Sequence, residues 1–124
     1  MFKKIIFLNL LLIAFPVMAQ DVPSIPKTYP KKHGQAHSNV AWGTEYDFLS
    51  TRYITHEDIS HYDRGQIRVL RNSIYARHGR IFKDRNLRAY FNSQPWYRGW
   101  RKEIPQRELN KFEKFNIEFL QQYE

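Results

Sequence analysis

From Leu49 onward, apolar residues recur at helical spacings, and each recurrence is framed by helix start and stop signals. Thr55-His56-Glu57-Asp58 offers a capping residue with an acid three positions later, which predicts a short helical turn. Ser60-His61-Tyr62-Asp63 repeats that signature ahead of a longer helix, where Ile67, Leu70, Ile74 and His78 recur at intervals of three, four and four. Gly79 then suits a left-handed C-terminal cap. Asp84 is placed to cap a third helix that buries Leu87, Tyr90 and Phe91 and stops before Pro95. Pro105 suits the first turn of a final helix, whose stripe is Leu109, Phe112, Asn116, Phe119, Leu120 and Tyr123. On its outer side, Glu103–Arg107, Lys114–Glu118 and Glu108–Lys111 are spaced to pair. The fold class expected is all-α: a small single-domain bundle of about four short helices.

The pattern fails before Leu49. Residues 20–48 carry Pro23, Pro26 and Pro30, then Lys31-Lys32-His33-Gly34, with sparse apolar residues and no period. Such a stretch buries too little to offset its ordering entropy and reads as a Pro-rich flexible linker. His33 and His37 are four apart, but Gly34 and the prolines argue against the helix that would let them share a metal. No metal or cofactor is expected. Ahead of the linker, Lys3 and Lys4 precede the 13-residue apolar run Ile5 to Val17, and Val17-Met18-Ala19 offers a cleavage site before Gln20. This is the layout of a signal peptide (1–19), and the run is shorter than the roughly 18 residues a membrane helix needs. The protein is expected to be exported, periplasmic or secreted, with no transmembrane segment after signal removal. It has no cysteine, so its stability rests on packing; aromatics make up 16% of the chain and bury much area per residue.

Charge is unevenly placed. Between Arg64 and Lys102 eleven Lys or Arg, nine of them Arg, face the single acid Asp84, whereas from Glu103 to Glu124 five Glu meet three bases. An acidic last helix docking on a basic middle would neutralise part of this and leave a basic surplus outside. Arginine grips carboxylate and phosphate through a planar fork, which points to anionic envelope material such as peptidoglycan or another polyanion. Export argues against nucleic acid as the main partner.

The run Arg71-Asn72-Ser73-Ile74-Tyr75-Ala76-Arg77-His78-Gly79, with Phe82, Tyr90-Phe91 and Gln94-Pro95-Trp96-Tyr97, resembles the YARHG domain, a bacterial exported domain. Glu113-Lys114-Phe115-Asn116-Ile117 is similar to that family's C-terminal helix, and the resemblance covers about Leu49 to Glu124. Trp100-Arg101-Lys102 departs from the family pattern. The resemblance implies an envelope or extracellular setting and names no reaction, substrate or catalytic residue.

Read physically, the motif residues Arg71, Asn72, Tyr75, Gly79, Trp96 and Asn116 are architectural. Arg71 is expected at the core edge, paired with a Glu of the last helix. His78 would meet the helix-end carbonyls; as a general base it lacks a nucleophile, since Ser73 faces away from it. Asn116, in mid-stripe, needs a hydrogen-bond partner, expected on the motif helix or the turn after Gly79. Binding is assigned to Arg77, His78, Arg98, Trp100, Arg101 and Lys102. In the loop Trp96 to Lys102, Trp96 and Tyr97 can cover the core, but Trp100, between Gly99 and Arg101, is harder to explain that way. The leading expectation is a non-catalytic binding module for anionic envelope material, cell wall or membrane surface. An accessory or inhibitor protein for one envelope protein is the alternative, and an envelope hydrolase ranks last for want of paired carboxylates or ligand clusters.

Overall fold

The computed structural model describes residues 39–124. The expected signal peptide, the linker up to residue 38, and His33 and His37 lie outside the described residues. Four α-helices follow in order: α1 (His56–Ile59), α2 (Arg64–Arg77), α3 (Arg85–Asn92) and α4 (Lys111–Gln121), with 3-10 turns at Asp47–Ser50 and Gln106–Glu108. There is no strand among the described residues, only a single parallel bridge between Arg80 and Arg101. The domain is all-α, as its periodicity predicts.

Local chemistry sets the helix ends. Asp58 reaches back to accept from the Thr55 N–H at 2.7 Å, starting α1. Asp63 itself, rather than Ser60, caps α2: its carboxylate accepts from the Gln66 N–H at 2.8 Å, and Gln66 accepts from the Asp63 N–H at 3.0 Å. Asp84 accepts from the Leu87 N–H at 3.0 Å and starts α3. Gly79 takes φ +92°, the left-handed turn that ends α2. Pro105 does not start the last helix. It precedes the 106–108 turn, and Asn110 is the true cap of α4, accepting from the Glu113 N–H at 2.8 Å.

The longest helix, α2, packs along α4; the 47–50 turn covers α4 and α3 lies against α2. Leu49, Leu70, Ile74, Phe91 and Leu120 are fully buried between them. The packed unit reaches further upstream than the expected boundary at Leu49. Thr44, Glu45 and Tyr46 are buried, and the Ala41 N–H donates to the Arg77 carbonyl at 2.8 Å. Tyr46, one aromatic in a polar stretch, shows no periodicity, yet it packs edge-on to Trp96 and its hydroxyl meets that of Tyr90.

The register of α4 also differs from the apolar stripe. Its buried positions are Glu113, Asn116, Ile117 and Leu120. Phe112 and Phe119 are half-buried and Phe115 is exposed, so with Tyr53 they form an aromatic ridge on the outer side. Asn116 has the partners its burial demands, but on the segment after the 47–50 turn. It accepts from the Ile54 N–H at 3.0 Å and donates to the carbonyls of Leu49 and Arg52, both at 2.9 Å. Asn72 donates to Arg68, one turn back on its own helix. Arg71 forms a two-pronged pair with Glu124, beyond the end of α4. Glu108 pairs with Arg101, not with Lys111.

Candidate functional site

The carboxyl end of α2 inserts charged side chains into the interior. Arg77 is 1% exposed, His78 3% and Glu113 2%. Glu113 is fully engaged: one oxygen accepts from the Asn110 N–H at 2.8 Å, the other from Ser50 Oγ at 2.7 Å and His78 Nε2 at 2.9 Å. Burial works to raise the Glu113 pKa. The hydrogen bond from His78, the Asn110 N–H, the nearby imidazole charge and the Ser50 hydroxyl outweigh it, and the carboxyl stays below its ordinary value. Arg77 donates to Ser50 Oγ and, at 2.9 Å, to the Ala41 carbonyl; Asp47 lies 3.5 Å away and the Trp42 ring 4.6 Å from its guanidinium carbon. Burial lowers the Arg77 pKa against the opposing pull of Asp47 and Glu113.

Two assignments are thereby corrected. Arg77 and His78 do not present their charge to a surface ligand, because α2 carries both inward, although Arg77 still lines the cleft described below. Nor does the His78 ring meet the helix-end carbonyls; it turns to Glu113. Ser50 and His78 share that carboxylate instead of bonding to each other, so the cluster lacks the nucleophile–base contact of covalent hydrolysis. It is a clasp joining α2, α4 and the 47–50 turn. Sequence periodicity missed Glu113, although Asn110-Lys111-Phe112-Glu113 has the capping-box spacing that identifies it.

The same turn positions the loop that follows α3. The N–H groups of Trp100 and Arg101 donate to the Gly79 carbonyl at 2.9 and 3.1 Å, and Ile81 N–H donates to Arg101 at 2.8 Å. The Trp100 indole lies against Gly79 so closely that a Cβ there would sit 2.2 Å from Nε1. The Arg101 guanidinium stacks over the ring, 4.4 Å from its centroid. Arg101 also donates to the His78 carbonyl at 3.1 Å and to Glu108 at 2.7 Å, so its charge is held within the fold. This places Arg101 with the support rather than with the contact residues.

Trp100 is nonetheless 51% exposed. With Trp96, Tyr97, Arg98, Arg77 and Ala41 it lines an open cleft of about 450 Å³. That size falls within the range of small-molecule sites, about 300–1,000 Å³. Trp96 is half-buried, its ring against Tyr46 and Phe91, as expected for a core cover. Arg98 is exposed at the rim without an ion-pair partner. Lys102 is exposed too but belongs to a neighbouring hollow of about 520 Å³ with Arg80 and Lys83.

The YARHG domain family matches residues 43–124, two-thirds of the chain and all of the packed helices. This chain belongs to the YARHG domain family. The match also includes the 44–46 segment that periodicity left in the linker. In this YARHG domain the residues that give the family its name are the α2 end and the turn that clasps the Trp100 loop. The family is commonly found in exported proteins. No curated protein and no solved structure matches the chain. Among the described residues no helix is long and apolar enough to cross a membrane, and no group of three His, Cys, Asp or Glu could hold a metal ion.

Proposed function

We propose that this YARHG domain is an exported, non-catalytic binding module for anionic envelope material, cell wall before membrane surface, and that the cleft bounded by Trp96, Arg98 and Trp100 is its contact. The observation that carries the reading is Trp100. A large indole half in water is ordinarily left mobile, yet here Gly79 against its pyrrole-ring atoms and the Arg101 guanidinium over the ring hold it in place. A fixed, exposed aromatic face stacks on sugar rings at little entropic cost, and Arg98 beside it attracts anionic groups. The surplus of Lys and Arg over Asp and Glu, 20 against 12 in the whole chain, adds a long-range attraction to polyanions.

Co-sedimentation with purified cell-wall sacculi tests this. Retention is expected at low ionic strength and should weaken toward 0.15 M salt, where the Debye length is about 8 Å. A protein that stays in the supernatant at every salt concentration contradicts the reading. The second reading, an accessory protein for one envelope protein, draws on the ridge of Tyr53, Phe112, Phe115 and Phe119 across the molecule, where Tyr53 is 47% and Phe115 45% exposed. It gains ground if retention proves independent of the cleft.

A further inference from the structure

Beside the buried acceptors Glu45 Oε2 and Gln94 Oε1, three buried hydrogen-bond donors have no partner: Arg77 Nη2, Trp96 Nε1 and Trp42 Nε1. Two belong to residues that line the cleft, Arg77 and Trp96, and the third residue stacks on Arg77. The Arg77 side chain is 0% exposed, so its free N–H groups lose water without gaining a partner. A buried unpaired donor is costly, and two on residues that line one cleft mark a place where an acceptor belongs.

The charge there selects the kind of acceptor. Arg77 is already balanced by Asp47 at 3.5 Å and by Glu113, which it reaches through Ser50. A second carboxylate or a phosphate would meet those two acids at close range. A hydroxyl would bring its own donor to Arg77 and Trp96, whose unpaired atoms are themselves donors. An amide carbonyl brings acceptor capacity alone and no charge. The rest of the lining, Trp96, Tyr97 and Trp100, presents aromatic faces suited to sugar rings.

We infer that the cleft takes an N-acylated sugar unit of a glycan, its amide carbonyl accepting from the buried Trp96 and Arg77 donors while its ring rests on the aromatic wall. Arg98 at the rim then holds an anionic substituent of the same or the next unit. Both donor atoms are covered, so entry requires a side chain of the wall to turn aside, as interface side chains commonly do. The inference rests on the binding reading above and names its ligand class.

The test uses the full chain with ¹⁵N-labelled tryptophan, whose three indole N–H groups give three resolvable signals. Titration with the β-1,4-linked trimer of N-acetylglucosamine is expected to shift the Trp96 indole signal downfield in a saturable way. The glucose trimer of identical linkage, which lacks the amide, should bind at least about tenfold more weakly. Trp96→Phe keeps the ring and removes the donor, and should cost the acetylated trimer its advantage while the unfolding midpoint stays within a few degrees. Equal binding of the two trimers overturns the inference, as does a response confined to Trp100. An N-acetylated dipeptide amide that moves the Trp96 signal when the sugar does not would overturn it in favour of a peptide. Retention on sacculi through Arg98 and Trp100 alongside a null titration would sink the amide site and leave the binding module standing.

Discussion

Two stretches of this domain are equally rich in arginine and aromatic or imidazole rings, and the fold uses them in opposite ways. In Tyr75 to Gly79 the polar groups turn inward: Arg77, His78 and Ser50 converge on Glu113 and Asp47, nearly every group matched and shielded from water. In Trp96 to Lys102 the same chemistry turns outward, with Trp100 half exposed and Arg98 and Lys102 unpaired. The two meet at Gly79, whose carbonyl accepts both N–H groups of the loop. Residue type therefore does not separate support from contact. What separates them is whether a charged group has a fixed internal partner.

That contrast is best broken from the inner side. Arg77→Ala leaves Ser50 Oγ and the Ala41 carbonyl without their donor and Asp47 and Glu113 without a balancing charge in a largely buried site, and should cost about 3–5 kcal/mol in urea unfolding. A domain of ordinary stability, about 5–15 kcal/mol, would be left marginal. Asn116→Leu strands the Ile54 N–H and two carbonyls, and about 2–3 kcal/mol should be lost. Unchanged stability in that variant would remove the role assigned to Asn116. Gly79→Ala sits where the two regions join. It forces φ +92° on a residue with a Cβ and drives that carbon into Trp100, so about 1–3 kcal/mol of stability should go together with a changed Trp100 emission spectrum.

Acid should loosen the inner region. The folded pKa of Glu113 is depressed, so its contribution is complete above the unfolded value, about 4.3, and is lost as pH falls through the lower folded value. The unfolding midpoint should drop on acidification below about pH 4, and Glu113→Gln should flatten that limb of the profile. The outer region predicts the smallest change: Arg98→Ala should alter stability by no more than about 0.5 kcal/mol, and Trp100→Ala, which loses the packing on Gly79 and the Arg101 stack, by about 1 kcal/mol. Lys102→Ala, outside the cleft, should leave both stability and cleft binding unaltered.

The legible part of this fold lies where a local chemical rule acts alone. Thr55 and Asp84 announce helix starts and Gly79 announces a stop, because a cap needs only a side chain and its own backbone neighbours, whereas the start of α2 falls on Asp63, three residues past the Ser60 signature. The register of α4 is only partly legible: Asn116 and Leu120 lie inward as the stripe has them, but Phe112 and Phe119, apolar at helical spacing, draw it toward the outer side. Glu113 takes the inner position only because His78 and Ser50, 35 and 63 residues away, complete its hydrogen bonds. Tyr46 escaped notice for a related reason, since its burial depends on Trp96 and Tyr90 from distant elements. At the site, Trp100 stood out as an aromatic between Gly99 and Arg101 in a loop. That Arg101 serves as its brace, and Arg98 as the free cation, follows from Glu108 and the His78 carbonyl and from no local signal.

The central claim is that the inner region holds the fold while the outer loop makes the contact, and one paired measurement addresses it. The Arg98→Ala/Trp100→Ala double variant and the unaltered protein are compared for thermal unfolding and for retention on sacculi. A preserved melting transition with retention reduced at least about tenfold is the expected result. Full retention by a well-folded double variant would contradict the account and move the contact away from the cleft.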